Sequence, residues 1–223
     1  VIGEGYNNSY SGENPRNGKD VNIALDNQDG FGHSVSLYYD SGLGSHRLAV
    51  AAQHDDGDND DDANNGAVYL YRFTDADFTG GTLQATIGSD YSGGRNVDLD
   101  LPNTNSLGQT AIDGNYLALG VKGGEGGNSD DDEGEVHIYS YTNFSQGTEF
   151  SGLTLEGKLG KDFSGSQDVE VQPETNHFLD DSDLFGNGVA LDGNRLVVGA
   201  ASGAGSGDLT GQNANFGEVH IFN

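Results

Sequence analysis

Aspartate carries most of the chemical potential of this chain, and it is clustered. Asp55, Asp56, Asp58, Asp60, Asp61 and Asp62 are interrupted only by Gly57 and Asn59. Calcium takes roughly six to eight hard oxygens, which Asp carboxylates, Asn amides and glycine-freed carbonyls supply from a single loop. Asp55, Asp56, Asp58, Asp60 and Asp62 are therefore candidate calcium ligands, against the plainer reading of a solvated acidic loop. A second acidic place, residues 130–133, offers Asp130 and Asp132. A third is an Asp-x-x-Asp spacing, Asp26 with Asp29 and Asp180 with Asp183, whose plainer reading is an Asx turn at a strand start. Dense carboxylates are hard to order without a cation, so calcium is the expected cofactor.

Other chemistries find less support. His137 and His220 occupy the strand position that Tyr69 fills in another part of the chain, which reads as packing or a cross-strand pair. His33, His46, His54 and His177 lack metal-ligand spacing. There is no cysteine, no Gly-x-Ser-x-Gly elbow and no glycine loop running into a helix, and no two carboxylates stand out for sugar hydrolysis. The expectation is a protein that is not an enzyme. Tyr6, Tyr10, Tyr38, Tyr39, Tyr91 and Phe163 lie in or beside Gly/Ser/Asn turns, where rings either staple loops to a sheet or stack on a ligand.

Thirty-six acids against nine bases give a formal charge of -27, which argues against a nucleic-acid partner. Such a chain repels itself at low salt. No apolar run approaches the ~20 residues of a membrane span, so membrane insertion is not expected. No leader is visible before Val1, which suggests a mature product or an excised fragment. Absent cysteine and abundant Gly, Asp and Asn fit a bacterial extracellular or cell-surface setting, where calcium is plentiful, with a salt-tolerant cytoplasm as the alternative.

The elements that must hold these residues repeat three times, over approximately 1–86, 87–158 and 159–223, within one domain spanning 1–223. Each copy has an aromatic-Ser-Gly turn: Tyr10-Ser11-Gly12, Tyr91-Ser92-Gly93 and Phe163-Ser164-Gly165. An alternating strand follows, Val21/Ile23/Leu25, Val97/Leu99/Leu101 and Val169/Val171. A third segment starts at Phe31-Gly32, Leu107-Gly108 and Phe185-Gly186, with Val35, Ala111 and Val189 in equivalent places. Asp113-Gly114-Asn115 and Asp192-Gly193-Asn194 are tight hairpin turns into the next apolar run, Arg47-Leu48-Ala49-Val50 in the first copy. A run opening on Gly66, Gly134 or Gly217 closes the shared part, and Thr82-Leu83 and Thr154-Leu155 begin a further strand in two copies. Val1-Ile2-Gly3 matches the end of that strand, Ile87-Gly88 and Leu159-Gly160, so three arrangements are open: the first residues complete the last sheet, the array is a piece of a longer one, or a neighbour donates a strand.

The sequence from Phe185-Gly186-Asn187-Gly188-Val189 through Gly199-Ala200 to Gly217-Glu218-Val219-His220-Ile221-Phe222 resembles the FG-GAP repeat of integrin α-type β-propellers and large bacterial surface adhesins. The resemblance covers all three copies and is weakest in the second, where Leu107-Gly108 replaces Phe-Gly. It implies a calcium-binding propeller. The family's Asp-x-Asp-x-Asp-Gly loop, however, falls on Asp113-Gly114-Asn115 or Asp192-Gly193-Asn194, turns too short to encircle an ion. Any calcium must bind elsewhere.

The expected fold is all-β, three tandem repeats of antiparallel sheets in a propeller-like arrangement, with a β-prism-like arrangement or a fragment of a larger propeller as alternatives. The expected function is a calcium-stabilised adhesion or ligand-binding module of a large secreted or surface protein. Its partners would be an extracellular glycan or protein, or copies of itself. A structural protomer of an extracellular fibre assembling by strand donation is the alternative, and a polysaccharide-active enzyme or carbohydrate-binding accessory is the third reading.

Overall fold

The computed structural model describes residues 1–6, 19–58, 64–99, 101, 106–127, 133–142, 149–171, 179, 182–203 and 216–223. All the regular structure among them is β, and none of them forms a helix long and apolar enough to cross a membrane. The first sheet runs β3 (Phe31–Asp40), β4 (Ser45–Ala52), β5 (Ala67–Arg72), β6 (Thr82–Gly88) and β7 (Val97–Asp98). The second repeats this order with β8 (Ser106–Asp113), β9 (Tyr116–Lys122), β10 (Glu135–Thr142), β11 (Ser151–Gly160) and β12 (Val169–Glu170). The third has β13 (Phe185–Asp192), β14 (Arg195–Ala200) and β15 (Glu218–Phe222). A small ribbon joins β1 (Ile2–Gly3) to β2 (Val21–Asn22).

Within each large sheet the first four strands are antiparallel and the last is parallel. The parallel pair recurs three times in one register: Ile2 with Val21, Ile87 with Val97, and Leu159 with Val169. Val1-Ile2-Gly3 is thus the counterpart of the end of β6 and β11, as the sequence suggests. It pairs with β2 and does not complete the third sheet among the described residues.

The expected alternating strand is only two residues long in each copy. Its alternation has another origin. After Val97 pairs with β6, the chain crosses over, and Leu99 and Leu101 bury against the second sheet beside Leu117 and Leu119. Ile23 does the same for the first sheet. One apolar residue belongs to the sheet behind and the next ones to the sheet ahead, so each crossover ties neighbouring copies together.

The sheets stack face to face in sequence order. β8 lies on β3, β4 and β5, and β13 lies on β8, β9 and β10. One core lies between the first and second sheets, with Ala49, Ala51, Val68 and Leu70 facing Ile112, Leu117 and Leu119. Another lies between the second and third, with Ala111, Ala118 and Val136 facing Phe185, Leu196 and Val198. The second sheet is therefore buried on both faces; the third has one open face, and the far face of the first is covered over β4 and β5 by Ile2, Val21 and Ile23 but open along β3.

Register corrects one sequence alignment. In β3 and β13 two residues bulge between the Phe and the resumed ladder, so Ser34 opposes Ala51 and Gly188 opposes Gly199. In β8 only one residue bulges, and Gln109 opposes Gly120. The counterpart of Val35 and Val189 is thus Thr110, not Ala111. A one-residue slip exchanges the two faces of a strand; accordingly Ile112 faces the first sheet and Ala111 the third.

Contact between sheets is close enough to require glycine. A Cβ on Gly120 would lie 2.0 Å from the carbonyl oxygen of Gly186, and one on Gly134 would lie 2.0 Å from that of Phe185. Polar groups satisfy the exposed edge of β8: the amides of Thr110 and Ile112 donate to the hydroxyls of Ser34 and Ser36, at 3.3 and 2.9 Å. Arg47, 1% exposed, clamps the same junction. It pairs with Asp40, donates to the Gly114 carbonyl at 2.5 Å and to the Tyr141 hydroxyl at 3.3 Å, and lies over the Tyr38 ring.

Gly199 holds the place of Gly120 in the third sheet, yet a Cβ there meets nothing nearer than 3.9 Å. Gly120→Ala is expected to lower stability by about 1–3 kcal/mol through overpacking. Gly199→Ala should leave monomer stability almost unchanged. Denaturant unfolding of the two variants checks the contrast.

Candidate carboxylate site

Strand pairing within the first sheet brings two of the three acidic places together. Asp26 and Asp29 precede β3, and Asp55 and Asp56 follow β4, so antiparallel pairing of those strands returns them to the same end of the first sheet. The His54 amide donates to the Asp29 carbonyl at 2.9 Å and fixes the two turns against each other. Asp26, Asp29, Asp55 and Asp56 together line a cavity of about 40 Å3, with Gly57, Tyr69 and Tyr91 completing the wall. That exceeds the roughly 10–15 Å3 one water or small ion requires.

Each carboxylate is oriented locally. The Asp26 amide donates to Asp29 Oδ2 at 2.7 Å, a side-chain bond that closes the 26–29 turn from its far end rather than the forward-running Asx turn. Asp55 is 3% exposed. Its Oδ1 accepts from the Gly57 amide at 3.0 Å and the Tyr91 hydroxyl at 3.0 Å, and its Oδ2 accepts from the Tyr69 hydroxyl at 2.5 Å. Asp56 Oδ1 accepts from the Asn64 amide at 2.8 Å. Asp58 lies beside a neighbouring groove that also includes Asp26, Tyr69 and Tyr91.

Burial raises the pKa of both Asp55 and Asp29 above the ordinary carboxylate value, and neighbouring aspartates push each in the same direction. Burial, reinforced by Asp55, also holds Tyr69 well above the usual phenol range, so it remains an O–H donor. The donor set has the hard-oxygen chemistry that calcium requires. Among the described residues, no three acidic or imidazole side chains form a ready-made metal cage. The local hydrogen bonds instead turn several carboxylate oxygens toward their own loops.

Of the remaining candidates, Asp183 is buried and repeats the setting of Asp29: its carbonyl accepts from the Ser202 amide at 3.0 Å. Glu133, beside the second acidic run, is buried and pairs with Lys161. Asp60, Asp62, Asp130, Asp132 and Asp180 lie outside the described residues.

A different repeated feature escapes the sequence reading. Gly66, Gly134 and Gly217 donate their amides, each at 2.9 Å, to the carbonyls of Asp55, Gly124 and Gly203, so these three acceptors occupy one structural position. Ala67, Glu135 and Glu218 are likewise equivalent, as are Tyr69, His137 and His220. In the first copy the loop supplies the carboxylate, and Asp55 bonds Tyr69. In the others the strand supplies it: Glu135 lies 2.6 Å from His137 Nε2, and Glu218 lies 3.3 Å from His220 Nε2.

The exchange is sterically compensated. A Cβ on Gly124 would meet Glu135 Cγ at 2.3 Å, and one on Gly203 would meet Glu218 Cγ at 2.7 Å. Each copy thus keeps one acid beside one polar ring, with glycine making room where the acid comes from the strand. The histidines serve this pairing and their neighbouring rings, as with His46 stacked on Phe78 at 4.2 Å.

Gly124→Asp alone is expected to destabilise the fold by about 1–3 kcal/mol or more, since it overpacks the site and sets two carboxylates together. Adding Glu135→Ala and His137→Tyr rebuilds the first copy's arrangement and should recover most of that loss. A mutant cycle in denaturant measures the coupling directly. The chain matches no family model and no curated protein sequence.

Proposed function

We propose that this chain is a calcium-stabilised, non-enzymatic adhesion or ligand-binding module of a large secreted or cell-surface bacterial protein. Its three stacked sheets are consecutive units of a propeller-like array of the FG-GAP kind. The observation that carries the calcium reading is the meeting of Asp26, Asp29, Asp55 and Asp56 on one small cavity. Carboxylates raised in pKa by burial and mutual repulsion are costly when ionised, and a divalent cation removes both penalties at once.

The binding reading draws on the adjoining groove, of about 660 Å3, lined by Tyr69, Tyr71, Tyr91, Leu83 and Asn96 beside Asp26 and Asp58. Phenol rings with amide and carboxylate groups suit an extracellular glycan or a polar peptide. The groove shares Asp26 and two tyrosines with the cavity, so an ion would stiffen its wall. A second reading, a protomer of an extracellular fibre, is favoured by the apolar residues exposed on β3 and β15, Val35, Leu37, Val219 and Ile221.

Folded-state values raised above the unfolded ~3.9 mean that native Asp29 and Asp55 bind protons more readily than the unfolded chain. Their contribution to stability is full below about pH 4 and is lost as pH rises through the raised values. Without calcium the melting temperature should therefore fall as the pH rises above about 4. Calcium at ~100 times its Kd should restore about 2.7 kcal/mol at neutral pH, or roughly 5–10 °C for a domain of this size. Asp29→Asn and Asp55→Asn should flatten the pH dependence and shrink the calcium effect. Identical melting in calcium and in chelator would refute the calcium reading, and a glycan and peptide array tests the groove.

A further inference from the structure

The alternation of β3 is inverted relative to its own core. Ser34 and Ser36 point toward the second sheet and hold its edge amides. Val35, Leu37 and Tyr39 point away and are 63%, 50% and 47% exposed. Their counterparts are not exposed. Ile112, at the Leu37 position of β8, is buried against the first sheet, and Val189 and Leu191 of β13 pack against the second. In the second and third copies this side of the strand is the one that docks on the preceding sheet.

The third sheet shows the other half of the same junction. Its inward face, Leu196, Val198 and Ala200, is buried on the second sheet. Its outward face holds Gly188, Ala190, Val197 and Gly199, with Val219 and Ile221 at 67% and 68% exposure. These positions match Gln109, Ala111, Ala118 and Gly120, the small-residue face on which β13 is seated. Arg195, exposed here, holds the place of Arg47, which clamps a turn carbonyl and a tyrosine hydroxyl of the sheet ahead. Both halves of an interface built twice inside the molecule are thus open on its two ends.

We propose that the outward face of β13–β15 in one copy of this chain receives the Val35–Leu37–Tyr39 face of a second copy, extending the stack head to tail. The interface already formed twice internally sets its geometry. The strand residues that would meet are apolar or small apart from Asp192 at the end of β13, whose counterpart Asp113 accepts from the Gly193 amide of the sheet seated on it, at 2.6 Å, in a molecule of net charge -27. Because the two faces differ, the contact is heterologous and generates a ring or an open filament, not a twofold dimer. Repulsion between acidic copies opposes it, so association strengthens as salt shortens the screening length. This rests on the fibre-protomer reading and is independent of calcium at the carboxylate cavity.

Sedimentation velocity of the 223-residue chain over a range of concentrations, at high and low salt, tests the proposal. Concentration-dependent species larger than a dimer are expected. Leu37→Lys and Ile221→Lys, both at exposed positions, should each weaken self-association about tenfold or more with unchanged circular dichroism and melting temperature. Mixed together, the two variants should form a dimer that grows no further, since each retains one intact face. A chain that stays monomeric at every concentration and salt would overturn the proposal, as would variants that associate like the parent or a mixture that does not pair. Melting in calcium against chelator would be unaffected by any of these outcomes, so failure here is separable from failure of the calcium reading.

Discussion

Close approach of one sheet's backbone to the next is the constraint on which the structure depends. At Gly120 and Gly134 the neighbouring carbonyl oxygen stands where a Cβ would be. Sheets held this near leave no room for side chains at the junction's centre. Small residues therefore face forward, as in Ala49, Ala51, Ala111 and Ala118, and larger ones face back, as in Ile112, Leu117, Leu196 and Val198. That polarity gives the stack a direction. It also explains how a chain with 33% apolar residues folds: glycine and alanine replace bulk with proximity, and dispersion contacts are made backbone to backbone.

Strand pairing decides what happens to the acids. Hairpin pairing of β3 with β4 returns residues 26–29 and 55–56 to one end of a sheet, where Asp29 and Asp55 are buried. The three copies share one pair, an acid against Tyr or His, while drawing the acid from different segments. The first copy differs by adding further aspartates around the pair, and it alone among the described residues gathers four carboxylates on one cavity. A structural pair shared by all copies thus becomes an ion-binding candidate in one.

Much of the fold was legible from residue pattern. The Asp-Gly-Asn turns fall between β8 and β9 and between β13 and β14, with Gly114 and Gly193 at φ 55° and 60°. Val1-Ile2-Gly3 was readable as the counterpart of the ends of β6 and β11 because it matches Ile87-Gly88 and Leu159-Gly160 in residue type, and the parallel pairing bears this out. The one-residue bulge of β8 was not legible, since Gln109 and Thr110 are both polar and give no face preference. The convergence of Asp26 and Asp29 on Asp55 was hidden by the sequence distance between them. The exchange of Asp55 and Ala67 for Gly124 and Glu135 left a signal, glycine and acid trading places together, but only the hydrogen bonds of Gly66 and Gly134 fix the alignment that shows it.

The proposed function rests on calcium binding by the carboxylates of Asp26, Asp29, Asp55 and Asp56. Long-wavelength anomalous diffraction from crystals grown in calcium tests it most directly. An anomalous peak is expected inside that cavity, at oxygen distances of roughly 2.3–2.6 Å, and should disappear in Asp29→Asn. A cavity without anomalous density at saturating calcium, with the four side chains in their local hydrogen bonds, would contradict it.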